Sequence, residues 1–196
     1  MIDFNVILFN NFETLDAFGT VEVIGKLPMF YTLKYYSLEG GMIESSQQFH
    51  VNTLAFTEMD TSGILLIPGG MGTRNLVNDE NFIKQLKILS EKARYVLTVC
   101  TGSALLAKTD LLNGLNATSN KMAFAWASSN GLGVNWMKRA RWVKDGKYYT
   151  SSGVSAGMDM TLGFISDIHG ESVSQSIANG IEYRWNANKE DDPFAI

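Results

Sequence analysis

The chain has one cysteine, two histidines and no block of lysine or arginine. Each scarcity excludes something. A single cysteine forbids an intrachain disulfide. Together with an N-terminus, Met1-Ile2-Asp3-Phe4-Asn5, that lacks both a basic region and a long apolar stretch, it points to a soluble, cytoplasmic protein made in a reducing compartment. A formal net charge of −4 with no basic patch gives no electrostatic footprint for nucleic acid or for an anionic membrane. No apolar run approaches the ~18–20 residues of a membrane span. His50 and His169 stand alone, and no cluster of His, Cys, Asp and Glu shows metal-ligand spacing, so neither a metal nor a cofactor is expected.

What is present is ordinary globular material. At 196 residues and 45% hydrophobic content, the chain suits one α/β domain over 1–196 with a single sizeable core. Short apolar runs alternate with segments of helical spacing. Phe4 to Phe9 reads as a buried strand, and Leu15 to Leu27 repeats apolar residues at helical intervals. Leu33 to Leu38 reads as a strand that Gly40-Gly41 turns into a hairpin with Met42-Ile43-Glu44. Ile64 to Ile67 is a buried strand stopped by Pro68-Gly69-Gly70, Phe82 to Ala93 is helical, and a strand then ends at Cys100. In the second half Met122 to Ser128 reads as a short helix. Arg141 to Val143 and Tyr148 to Ser151 flank a turn, and two amphipathic helices, Met158 to Ile168 and Ser172 to Ile181, break at His169-Gly170. The segment 186–196 is polar and is expected to lie on the surface. This repeated order predicts a mainly parallel sheet covered by helices on both faces.

Chemistry concentrates at strand ends. Cys100 follows Tyr95-Val96-Leu97-Thr98-Val99 directly and precedes the small-residue run Thr101-Gly102-Ser103-Ala104. A strand–turn–helix corner lifts the side chain at its apex off the sheet and towards the first turn of the next helix, where free N–H groups favour a thiolate. The competing reading of a lone cysteine is a small buried hydrophobe. Pro68-Gly69-Gly70-Met71-Gly72-Thr73-Arg74 can present backbone N–H groups to an oxyanion, whereas its spacing matches neither phosphate-loop nor dinucleotide fingerprints. Gly70, Gly72 and Gly102 are thus candidate oxyanion- or substrate-binding positions. Two carboxylates accompany them. Asp16 could cap the first helix or reach the thiol. Glu22, amid Val21, Val23 and Ile24, is expected to be buried and protonated. Loops 10–16, 68–74 and 100–102 all follow strands, and ligands of such sheets bind outside the strands' carboxyl ends.

The motifs together resemble the ThiJ/PfpI superfamily, over nearly the whole chain. They are Leu15-Asp16 with Glu22, Ile67-Pro68-Gly69-Gly70-x-Gly72-Thr73-Arg74, Val99-Cys100-Thr101-Gly102, Leu111-Leu112-Asn113-Gly114, and Ser151-Ser152-Gly153-Val154-Ser155-Ala156-Gly157-Met158-Asp159. The resemblance implies a flavodoxin-like three-layer α/β/α sandwich, a mainly parallel sheet and a nucleophile elbow. Within it, Cys-Thr-Gly looks like the branch of isonitrile hydratases and of the ligand domains of AraC-type regulators. That likeness implies Cys100 as nucleophile and Glu22 as its partner, with Asp16 and Thr101 assisting and the N–H groups of Gly70 and Thr101 forming an anion hole. Protease-like members carry histidine where Thr101 stands. Related sequences also carry Thr-His-Trp where this chain has Ser119-Asn120-Lys121. The regulators add a helix-turn-helix domain after the ligand domain, and a chain ending at Ile196 is expected to lack one.

The expected activity is a cysteine-dependent hydratase or hydrolase of a small, largely uncharged molecule, patterned on conversion of an isonitrile to an N-substituted formamide. The alternatives are a non-catalytic ligand or oxidant sensor built on Cys100, and a glyoxalase- or deglycase-like activity. By analogy with the superfamily a homodimer is expected, with Phe18, Phe30 and Tyr31 near its surface.

Overall fold

Parallel strands buried on both faces need apolar residues without alternation, and that is how the central strands read. The computed structural model describes residues 1–195. The first half runs β1 (Ile2–Ile7), α1 (Thr14–Gly25), β2 (Tyr31–Ser37), β3 (Glu39–Glu44), β4 (His50–Ala55), β5 (Ile64–Ile67), α2 (Thr73–Leu76), α3 (Glu80–Lys92) and β6 (Tyr95–Thr98). The second half runs α4 (Gly102–Lys108), β7 (Asn116–Ala117), α5 (Phe124–Ser129), β8 (Asn135–Trp136), β9 (Trp142–Asp145), β10 (Tyr148–Ser151), α6 (Ala156–His169) and α7 (Glu171–Gly180).

Among the described residues, eight strands form one sheet in the order β3-β4-β2-β1-β5-β6-β10-β9. The pairs from β4 through to β10 are parallel, and only the edge strands β3 and β9 run antiparallel to their neighbours. Helix α1 packs on α6 and α6 on α7, while α4 meets α2, α3 and α5, so the helices divide into two groups flanking the sheet. Phe4, Val6, Leu65, Leu66, Val96 and Leu97 have almost no exposed surface and form the middle of the core. Among the described residues no helix is long and apolar enough to cross a membrane.

Two expectations change. The Gly40-Gly41 hairpin between β2 and β3 does not form. Only Leu38 separates those strands, both glycines sit at positive φ, and β3 pairs instead with β4, which lies between it and β2. A glycine pair bends a strand as readily as it closes a turn. The short helix expected from Met122 starts two residues later, at Phe124. By contrast, the break between the last two helices falls at Gly170, whose φ of 95° suits glycine.

Past α7 the chain keeps mostly to the surface, but Asp192 is buried, with an accessibility of 3%. There it faces Arg141, whose guanidinium also holds Asp159 with N–O distances of 2.6 and 2.7 Å. Asp159 further accepts the Tyr183 hydroxyl and the Asn186 N–H. This buried network ties α6 and the C-terminal segment to the strand that follows Ala140. A buried charge is tolerated only while paired, so removing one partner leaves the others stranded. Arg141→Met should therefore lower the unfolding free energy by about 3–5 kcal/mol, as read from the midpoint of a urea denaturation curve.

Candidate active site

The carboxyl ends of β1, β5 and β6 lie side by side, so the loops that leave them are forced together. The Glu13 N–H donates to the Gly69 carbonyl at 2.9 Å, that of Gly72 to Asn11 at 3.1 Å, and that of Val99 to Ile67 at 3.0 Å. At the centre is Cys100. Its φ of 57° is left-handed, which raises the side chain at the corner between β6 and α4. The surrounding backbone holds that strained residue. Its N–H donates to Ser152 at 3.2 Å, and its carbonyl accepts the hydroxyls of Ser103 and Ser119, each at 3.0 Å.

Asp16 stands beside the thiol. It occupies the first turn of α1 and is wholly buried. Its Oδ2 accepts the Gly69 N–H at 2.9 Å, while Oδ1 has no hydrogen-bond partner among the described residues. The Cys100 thiol and this carboxyl are near enough for each to shift the other's titration. Burial pushes the Asp16 pKa up to about 7, opposed chiefly by the Gly69 amide. Burial, then the Asp16 charge, also pushes the thiol well above its ordinary range. The resting sulfur is therefore a protonated thiol, where the sequence suggested a free thiolate. Three groups favour charge on it nonetheless: the Thr101 backbone N–H, the Asn120 side chain and the Thr101 hydroxyl.

Asn120 was marked by the sequence only as a departure from the relatives' histidine. Its Oδ1 accepts the Ala123 N–H at 2.9 Å ahead of α5, and its amide nitrogen lies so close to Gly153 that a Cβ there would collide with it. The amide is thereby fixed in orientation and able to reach sulfur.

Glu22 is not part of this cluster. It projects from the solvent face of α1, with its side chain 53% exposed and 2.6 Å from Lys26 one turn along. The expectation of burial came from apolar neighbours in sequence. In a helix, side chains adjacent in sequence point about 100° apart, so Val23 and Ile24 can be buried while Glu22 is not.

The glycines serve a different purpose from the one expected. The Gly70 N–H donates to Thr101 Oγ1 at 3.1 Å, that of Gly72 to Asn11, and that of Gly102 to Val99. All three amides are engaged inside the fold. What these positions require is space: a Cβ on Gly102 would strike the Ile67 carbonyl, and one on Gly72 that of Asn10. Gly69 has the same constraint, since a Cβ would lie 2.6 Å from the Thr101 nitrogen and 2.8 Å from Asp16 Oδ2. The Thr101 hydroxyl, also 3.1 Å from Thr73 Oγ1, locks the glycine loop onto the elbow and leaves its own N–H for the sulfur.

Residues 4–167 match the model of the DJ-1/PfpI family. The chain belongs to this family. Isonitrile hydratase of Pseudomonas putida is 29% identical over 180 residues, covering 90% of this chain and 76% of that one. The HTH-type transcriptional regulator GbdR of Pseudomonas aeruginosa is 26% identical over 191 residues, 94% of this chain but only about half, 52%, of the regulator. Among solved structures, a THiJ/PfpI family protein from Pseudomonas syringae superposes with a TM-score of 0.81 at 22% identity, over 94% of this chain and 76% of its own. The mainly parallel sheet with flanking helices is the fold of this DJ-1/PfpI member.

The raised Asp16 pKa has a thermodynamic consequence of definite sign. A carboxyl that titrates near 7 when folded and 3.8 when unfolded binds its proton more tightly in the native state, so its contribution is intact below 3.8 and lost as pH rises to about 7. Asp16→Asn removes that loss. The stability difference, variant minus wild type, should grow by about 2–3 kcal/mol between pH 5 and pH 8, measured by denaturant unfolding of both proteins at each pH.

Proposed function

We propose that the protein is a cysteine-dependent hydratase of a small molecule, with hydration of an isonitrile to an N-substituted formamide as the reference reaction. The observation that carries this reading is the Asp16 carboxyl, buried against the Cys100 thiol and titrating near neutrality. An acid–base group works best when its pKa lies near the working pH. The relative from Pseudomonas putida named for this activity supports the choice of reaction.

In the proposed sequence, the thiol proton passes to Asp16 as the sulfur attacks the terminal isonitrile carbon and forms the C–S bond. The Asp16 carboxylic acid then gives the proton to that carbon, leaving a thioimidate and a carboxylate. The carboxylate takes a proton from water as the water oxygen adds to the thioimidate carbon, and the substrate nitrogen gains the proton. Collapse of the adduct expels sulfur, which recovers the last proton, and releases the formamide. One water is consumed, and enzyme and charge are restored. Thr101 N–H and the Asn120 amide hold the sulfur while it carries charge. Asp16 thus takes both proton-transfer roles, and Glu22, expected on the sequence to be the thiolate's protonated partner, takes none.

The relation to GbdR supports a second reading, a domain that binds a small molecule without turnover. An oxidant sensor fits less well, because oxidation favours an exposed, low-pKa thiol, and Cys100 is 7% exposed with its pKa raised. Kinetics decide between turnover and binding. A panel of isonitriles, α-oxoaldehydes and small amides should yield turnover with an isonitrile. Cys100→Ala should abolish it, and Asp16→Asn should lower kcat by about 10²–10⁴-fold. Full activity in the alanine variant, or no hydration by wild type across the panel, would rule this mechanism out.

A further inference from the structure

One charged side chain beside the elbow has no part in that chemistry. Arg74 directly follows Thr73, whose hydroxyl touches Thr101. Its guanidinium carbon lies 3.4 Å from the ring centroid of Trp126, in α5. Helix α5 is in turn anchored through Ala123 to Asn120, whose amide faces the Cys100 sulfur. The Arg74–Trp126 stack therefore joins the two segments that border the thiol.

Other arginines next to carboxylates are committed: Arg139 to Asp191, and Arg141 to Asp159 and Asp192. Arg74 makes no ion pair and no side-chain hydrogen bond among the described residues, although it is half-buried. A partly desolvated cation without a counter-ion is unfavourable, and stacking on an indole offsets only part of that cost. Stacking covers a face of the guanidinium and leaves its edge of N–H donors free. That edge, in a fixed plane, matches the two oxygens of a carboxylate. Burial lowers the Arg74 pKa, and negative charge on the Cys100 sulfur counters that shift.

We propose that Arg74, held flat by Trp126, binds a carboxylate on the small molecule whose other end reaches Cys100, so that the ligand is a small organic acid rather than the uncharged compound the sequence suggested. The inference rests on the preceding reading for the position of the ligand's reactive end, but the recognition of charge stands on Arg74 and Trp126.

The test separates the two. In Cys100→Ala protein, butyrate and butyramide are titrated with tryptophan emission as the readout, and Trp126→Phe in the same background identifies the responding ring. Butyrate should bind about tenfold or more tightly than butyramide. Arg74→Gln should erase that preference and Arg74→Lys should retain part of it. Equal binding of acid and amide, no response to butyrate, or a preference that survives Arg74→Gln would overturn the proposal. Separately, wild-type protein is treated with iodoacetate and iodoacetamide, each of which alkylates the sulfur by displacement of iodide, and intact mass is followed. If Cys100 resists both, the nucleophile reading fails while the carboxylate preference is judged by the titration alone. If it reacts, the iodoacetate-to-iodoacetamide rate ratio should fall in Arg74→Gln.

Discussion

The contact on which this site depends is the one between a buried carboxyl and a backbone amide, Asp16 Oδ2 and Gly69 N–H, 2.9 Å apart. It fixes the start of α1 against the loop after β5, and it is the main influence opposing the desolvation of Asp16. Without such a donor, a carboxyl at zero exposure would be strongly unfavourable. The contact also dictates what may stand beside it. Thr101 and Asp16 approach Gly69 so closely that no side chain fits there, so the glycine loop exists to let three strand ends converge. Its amides are spent on that convergence, and the donors that serve the sulfur come from the elbow itself and from Asn120.

Sheet order explains why these three loops meet. Strands β1, β5 and β6 are consecutive parallel neighbours, with Val6 beside Leu66 and Leu66 beside Leu97. Whatever follows their carboxyl ends must share one region, and the residues that follow are those of loops 10–16, 68–74 and 100–102. On α1 the division of labour is rotational. Asp16, Thr20 and Val23 fall on the buried face, while Glu22 is turned about a third of a revolution away and pairs with Lys26.

Much of this was legible in the chain because it depends on short-range pattern. Strands covered on both faces must be apolar throughout, so Ile64–Ile67 and Tyr95–Thr98 stand out, and the abrupt change from strand to helix marks Cys100. Features that depend on direction or on distant partners were not legible. Apolar neighbours made Glu22 look buried because adjacency in sequence ignores the helical turn. Gly40-Gly41 looked like a hairpin because pairing partners are chosen by the sheet, and β4 competes successfully for β3. Asn120 lies 20 positions beyond Cys100, between β7 and α5, and no local signal gives its amide a target. The only hint was the departure from histidine at that place. Asp192 was hidden in the same way, as one buried acid in a polar tail whose partner Arg141 is remote in sequence.

A thiol with a raised pKa looks like an obstacle to nucleophilic chemistry, but the cause of the shift matters more than its direction. After burial, the largest influence holding the proton on Cys100 is the negative charge of Asp16. When the proton crosses to Asp16 that charge disappears, and with it that part of the opposition to a thiolate. The pair carries one negative charge before and after the transfer, so to first order burial penalises both arrangements alike. Hydrogen bonds then set the balance, with the Gly69 N–H favouring charge on oxygen, and the Thr101 N–H and hydroxyl and the Asn120 amide favouring charge on sulfur. On the proposed reading the site therefore needs no permanently ionised cysteine. A neutral thiol resists adventitious oxidation, and an electrophile that reaches the sulfur draws the proton to Asp16 with no net charge moved into or out of the core.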